Sequence, residues 1–183
     1  MELDRVLPSY DFRSCRTRRV AAEPEAVWAA LMQVTGQELP IMRLLMTIRS
    51  AGRAATRGPF VDNFPMPTLV RVDGRELVVG GIARFWKLRP ERAPVPPGDA
   101  EAFAAFDEPG WAKTAASLRV APDGTGTIAT FETRGSATDA AARRRFGVYW
   151  RLIRAGGADL LRVELLRAAA RRAEAAAPIS PNP

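Results

Sequence analysis

The chain of 183 residues contains no histidine and a single cysteine, Cys15. The first absence removes imidazole general bases, His metal ligands and His-dependent triads. The second removes internal disulfides and thiolate clusters. Long apolar runs are also missing. No stretch approaches the roughly 20 residues of a membrane span, and Met1 to Tyr10 holds no continuous signal-peptide core, so a cytoplasmic location with Cys15 reduced is expected. Lysine is scarce: the 27 basic residues are 25 Arg and 2 Lys, the signature of GC-rich coding in a high-GC bacterium. The net charge of +7 is therefore spread rather than clustered, and no specific nucleic-acid partner is expected. Asp and Glu are scattered without ligand spacing, so neither a metal nor a cofactor is expected.

What is present is the composition of an ordinary domain, 47% hydrophobic and 26% charged. At this length one domain buries roughly two-thirds of its unfolded surface, whereas two would be cramped. The expected organisation is an N-terminal extension over 1–11, a single domain over 12–176 and a disordered tail over 177–183. The oligomeric state is left open.

Residues 12–20 alternate as an exposed strand. Glu23-Pro24-Glu25 then opens a helix, with Pro24 at the first helical position and acids facing the positive end of the dipole. Val27, Ala30, Leu31 and Val34 recur at helical spacing, and Gly36 is the expected stop. A second helix over 38–49 carries Ile41, Leu44, Leu45 and Ile48 with Met42 and Met46 beside them, apolar over more than half its circumference. Residues 50–67 read as a loop. From Thr68 the period becomes two: 68–72 and 75–79 flank an Asp73-Gly74 turn, Gly80-Gly81 breaks the ladder, and a strand resumes over 82–88. Pro90 to Pro97 is a rigid connection and Asp99 to Phe106 a short helix. Strands 113–121 and 127–134 form a hairpin. A helical period returns at Thr138, the expected N-cap, with Ala142, Phe146, Tyr149, Trp150 and Ile153 on one face. Gly156-Gly157 interrupts it before Leu161, Leu165, Ala168 and Ala169 carry the stripe to about Ala176.

Strand, two helices, antiparallel strands and a long carboxy-terminal helix make an α+β order. Val20-Ala21-Ala22-Glu23-Pro24-Glu25-Ala26-Val27-Trp28-Ala29-Ala30-Leu31 resembles the strand-to-helix junction of the helix-grip superfamily (SRPBCC), which includes START-related lipid-binding domains, polyketide cyclases and plant pollen allergens. Val78 to Trp86, and Ala137-Thr138-Asp139 followed by Arg143 to Phe146, look like an uncharacterised bacterial branch. The resemblance covers about 12 to 172. It implies a curved sheet gripping the last helix around a cavity that takes a small hydrophobic or amphipathic molecule. Binding or carriage without chemistry is one reading. A cyclase- or dehydratase-type enzyme, in which Glu132 moves protons with help from Arg84 or Tyr149, is the other.

Candidate ligand-binding residues are Met42, Met46, Arg84, Trp86, Glu132, Phe146, Tyr149 and Trp150. Trp111 and Phe131 join the aromatics that either line a pocket or pack a core. Two strand registers stand open. One turns Arg84, Trp86, Thr130 and Glu132 inward, where Arg84 holds a ligand carboxylate or pairs with Glu132. The other turns Ala83, Phe85, Ala129 and Phe131 inward and leaves the charges in water. The arginines of 143–154 read as a solvated basic face.

Overall fold

The computed structural model describes residues 1–41, 43–44 and 58–176. Helix α1 (Glu2–Val6) precedes β1 (Phe12–Val20) and α2 (Pro24–Gln33). Then come β2 (Thr68–Val72), β3 (Glu76–Arg84), the short β4 (Glu91–Arg92), α3 (Ala100–Ala105), β5 (Ala112–Asp123), β6 (Gly126–Ala137), α4 (Ala140–Ile153) and α5 (Asp159–Ala176). The strands pair antiparallel in the order β1-β6-β5-β3-β2, and β4 takes over the edge of β3 beyond the end of β2. This is an α+β, helix-grip architecture.

The grip follows from side-chain size. One sheet face sends Val20, Leu77, Val79, Leu118 and Phe131 into a cluster with Leu165 and Leu166 of α5 and Val27 and Leu31 of α2. Ala168, Ala169, Ala170 and Ala173, each at most 2% exposed, keep the buried side of α5 slim enough to lie close to the strands. Pro24 opens α2 as its sequence predicts.

The opposite face is also covered. Residues 1–11, read from sequence as an extension, carry α1. Its Leu3, Val6 and Leu7 share one stripe and are buried with Val78, Ile82, Phe103 and Trp111. The buried Glu76 carboxylate accepts the backbone N–H groups of Glu2 (2.8 Å) and Leu3 (3.3 Å) and the Ser117 hydroxyl (2.8 Å), fixing the start of α1 to the sheet.

Several expectations are corrected. Gly80-Gly81 does not break the ladder: β3 runs through it, pairing Gly80 with Ala115 and Gly81 with Thr114, and a Cβ on Gly80 would sit 2.5 Å from Leu69 Cδ1 and 3.3 Å from Phe103. The glycine serves close packing. The strand ends at Arg84, so Trp86 lies in a turn closed by Lys87 N–H to Arg84 O (3.1 Å). Gly36 does not stop α2, which ends at Gln33; it starts a short helical turn, Gly36–Glu38, capped reciprocally by Thr35 and Glu38. Thr138 is not the cap of α4. Its hydroxyl is engaged with the backbone N–H (3.0 Å) and carbonyl (3.1 Å) of Trp111, and Asp139 caps instead by accepting Ala142 N–H at 2.8 Å. Half of the expected second helix over 38–49, including Met42 and Met46, lies outside the described residues, as do residues 50–57 of the 50–67 loop and the whole 177–183 tail.

The glycine pair does interrupt the last helix. Gly157 has φ 99°, a left-handed conformation that favours glycine, within a widened turn over Arg154–Ala158. Among the described residues, no helix is long and apolar enough to cross a membrane.

Candidate functional site

The break at Gly157 lets α4 and α5 cover different parts of the sheet. Helix α5 packs tightly against β1, β6 and α2. Helix α4 presents Phe146, Tyr149 and Trp150, at i, i+3 and i+4, toward the sheet. Phe146 and Trp150 are buried; they meet each other and Phe12, and Phe146 also meets Phe85, in edge-on or tilted ring contacts at centroid separations of 5.4 to 5.8 Å. Below them β3 offers Gly81 and Ala83, and β5 offers Thr114 and Ala116. These side chains are too small to fill the space beneath α4.

A cavity of about 590 Å³ results, within the usual 300–1,000 Å³ of small-molecule sites. Its walls are the aromatic face of α4, the small residues of β3 and β5, Phe131 and Thr133 of β6, and the proline-rich segments 64–67 and 95–98. Leu161 and Arg162 close it at the start of α5.

Arg162 is the charged group of consequence there. It is 6% exposed, and Nε and Nη2 both donate to Thr133 Oγ1, at 3.3 and 3.0 Å. Nη1 donates to Asp159 Oδ1 at 2.9 Å, and the guanidinium lies 5.5 Å from the Phe131 ring centre. Burial pulls Arg162 below its ordinary pKa despite the opposing field of Asp159, while Arg16 and Arg154 push it further down. Asp159 is shared: Ser14 Oγ donates to it at 2.6 Å, and Arg16 and Arg154 also approach it, at 2.9 and 3.6 Å.

No protein-family model matches the chain, and no curated protein matches its sequence. Solved structures similar to it include the following three. TTHA0849 of Thermus thermophilus is 12% identical, with 91% of this chain and 99% of that one covered, at a TM-score of 0.35. CalU16 of Micromonospora echinospora is 15% identical, with 89% and 84% covered, at a TM-score of 0.31. The AHSA1-like protein RHE_CH02687 of Rhizobium etli is 20% identical, with 94% and 90% covered, at a TM-score of 0.35. The architecture itself stands on the strand order and helix placement described above.

Of the residues singled out from sequence, Phe146, Tyr149 and Trp150 line the cavity together, joined by Phe131. Arg84 and Glu132 are not brought together. Arg84 lies over Trp111 at 4.3 Å, donates to Gly110 O at 3.1 Å and pairs with Glu91 at 3.1 Å. Trp86 packs beside the Phe146 cluster, from a turn, without lining the cavity.

Neither open register describes β6 fully. Ala129 and Phe131 do face the helices, yet Glu132 is not left in water. It lies on the far side of the sheet, 4% exposed, accepting from Arg13 Nε (2.8 Å), Arg13 Nη2 (3.0 Å) and Arg134 Nε (2.7 Å). Arg134 in turn donates to Leu7 O at 3.0 Å and Asp4 at 2.8 Å. This cluster ties the N-terminal segment to the sheet. The residues 1–11 supply the cover that the sequence reading did not foresee.

Arg162 and Thr133 were not among the sequence candidates. A signal existed for Arg162, because it occupies a buried position in the stripe running through Leu161, Leu165, Leu166 and Ala169, where helical periodicity calls for an apolar residue. Thr133 carries no comparable mark. Among the described residues, no group of three or more His, Cys, Asp or Glu side chains is placed to hold a metal.

Proposed function

We propose that the protein binds a small hydrophobic or amphipathic molecule in the cavity beneath α4. The observation that carries this reading is the cavity itself. Protein interiors are packed to crystal-like density with few voids larger than a water molecule, and about 590 Å³ walled by Phe131, Phe146, Tyr149 and Trp150 departs from that rule. The small floor residues Gly81, Ala83 and Ala116 make the departure a property of the sequence, since larger strand residues here would close the space. Binding, rather than proton transfer, is the favoured reading because Glu132, the expected proton carrier, is held across the sheet by Arg13 and Arg134.

The test is uptake of the neutral dye N-phenyl-1-naphthylamine by the wild-type chain and by Gly81→Trp. Gly81 has no left-handed φ, and a Cβ there would meet Met66 Cγ at 3.6 Å, an ordinary contact, so the substitution projects into the cavity without backbone strain. Dye fluorescence rises with wild type and is lost with Gly81→Trp while the thermal transition persists. Equal dye uptake by the two proteins would sink the reading.

A further inference from the structure

A guanidinium rarely faces an apolar cavity, because taking its charge out of water is costly unless partners compensate. Asp159 compensates Arg162 only in part. That one carboxylate also accepts from Ser14 and faces the half-exposed Arg16 and Arg154, so Arg162, which alone of the three arginines lines the cavity, shares its anion with two others.

Donors remain as well. A guanidinium has five N–H groups. The bonds from Nε and Nη2 to Thr133, and from Nη1 to Asp159, leave an N–H on each terminal nitrogen. Thr133 Oγ1 accepts from Arg162 twice, which leaves its own O–H to donate. Both side chains line the cavity. Thr133 thus orients the guanidinium and adds a donor beside it.

Resting on the cavity reading above, we infer that the bound molecule is an amphipathic carboxylate, whose anionic head is held by Arg162 and Thr133 while its apolar body lies against Phe131, Phe146 and Trp150. The planar fork of arginine matches a carboxylate with two donors, and a charge-assisted bond is roughly twice as strong as one between neutral groups. The aromatic wall then buries the rest of the molecule. Such a ligand supplies the counter-charge that Asp159 alone does not.

The experiment is displacement of N-phenyl-1-naphthylamine by dodecanoate and by 1-dodecanol, which share a chain and differ in the head. On wild type, dodecanoate displaces the dye at a concentration about 10-fold or more below that of the alcohol. Arg162→Met collapses that ratio toward one and leaves 1-dodecanol unchanged; Asp159 keeps Arg16, Arg154 and Ser14 as partners. Thr133→Val, which preserves shape, lowers the ratio severalfold and serves as the second variant should Arg162→Met fail to fold. Equal displacement by acid and alcohol on wild type, or a ratio that survives Arg162→Met, overturns the inference and leaves the cavity reading standing. Absence of dye uptake by wild type overturns both.

Discussion

The Cβ that Gly135 lacks would sit 2.6 Å from Cε1 of Phe146. No real side chain tolerates that contact, so the ring lies against the bare backbone of β6. Trp150 approaches the same point at 3.2 Å, and the close seating of α4 on the sheet depends on this glycine. Gly135→Val therefore forces the α4 aromatics away from the strand. Overpacking of this kind costs about 1–3 kcal/mol, which urea unfolding monitored by circular dichroism will measure. An unchanged midpoint would contradict the packing described.

Glu132 sets an acid limit on stability. Burial pushes its carboxyl pKa up, but the hydrogen bonds and charges of Arg13 and Arg134 outweigh burial and hold it below its ordinary value of 4.5. A depressed folded value means that the unfolded chain binds the proton first as pH falls. The stabilisation is complete above about pH 4.5 and is lost as pH drops through the folded value. Glu132→Gln leaves the buried Arg134 with Asp4 as its remaining charge partner and costs about 1–3 kcal/mol at neutral pH. The gap between variant and wild type should narrow below pH 4.5 in denaturant titrations run from pH 7 to pH 3. A gap constant across that range would refute the assignment.

Adjacent glycines at the helix break respond in opposite directions. Gly157→Ala places an L-residue at φ 99° and destabilises by about 1–2 kcal/mol. Gly156 lacks a positive φ, and a Cβ there meets nothing within 4 Å, so Gly156→Ala should stabilise by about 0.5–1 kcal/mol. Paired thermal melts compare the two directly, and matching shifts would argue against a break located at Gly157.

The amino-terminal helix is part of the folded unit in energetic terms. Leu3 is fully buried among Val78, Phe103 and Ala115, and Leu3→Ala should cost about 2–5 kcal/mol. A loss below about 0.5 kcal/mol in guanidinium unfolding would mean that α1 detaches without consequence.

Sequence alone determined much of the order of elements between β1 and α5, though neither α1 nor the short β4, because that part of the order is written in local signals. Pro24 opens α2, Asp73-Gly74 turns β2 into β3, the 123–126 turn joins β5 to β6, and Gly156-Gly157 interrupts the final helix. Each acts through backbone conformation within a few residues, and none needs a distant partner. The aromatic face of Phe146, Tyr149 and Trp150 was legible for the same reason, since helical period alone puts those residues together. The absence of histidine likewise excluded His-based chemistry before any coordinate was known.

Tertiary structure decided everything that depends on which elements meet. Alternation along β6 divides Ala129 and Phe131 from Glu132, but it cannot say which side carries the cavity. Nor does it reveal that α1 covers the other side, turning Glu132 and Arg134 from solvent charges into a buried cluster. Arg84 finds Glu91 and Trp111 rather than Glu132 because β5 lies between their strands and Glu132 is level with Val78, six residues before Arg84 on β3. Arg162 takes its meaning from Thr133, 29 positions earlier, and from Asp159 one turn before it. A guanidinium in a helical sequence is ordinary, and only the strand packed beneath it, with too little side-chain volume to fill the space, turns it into a buried cation at the wall of a cavity.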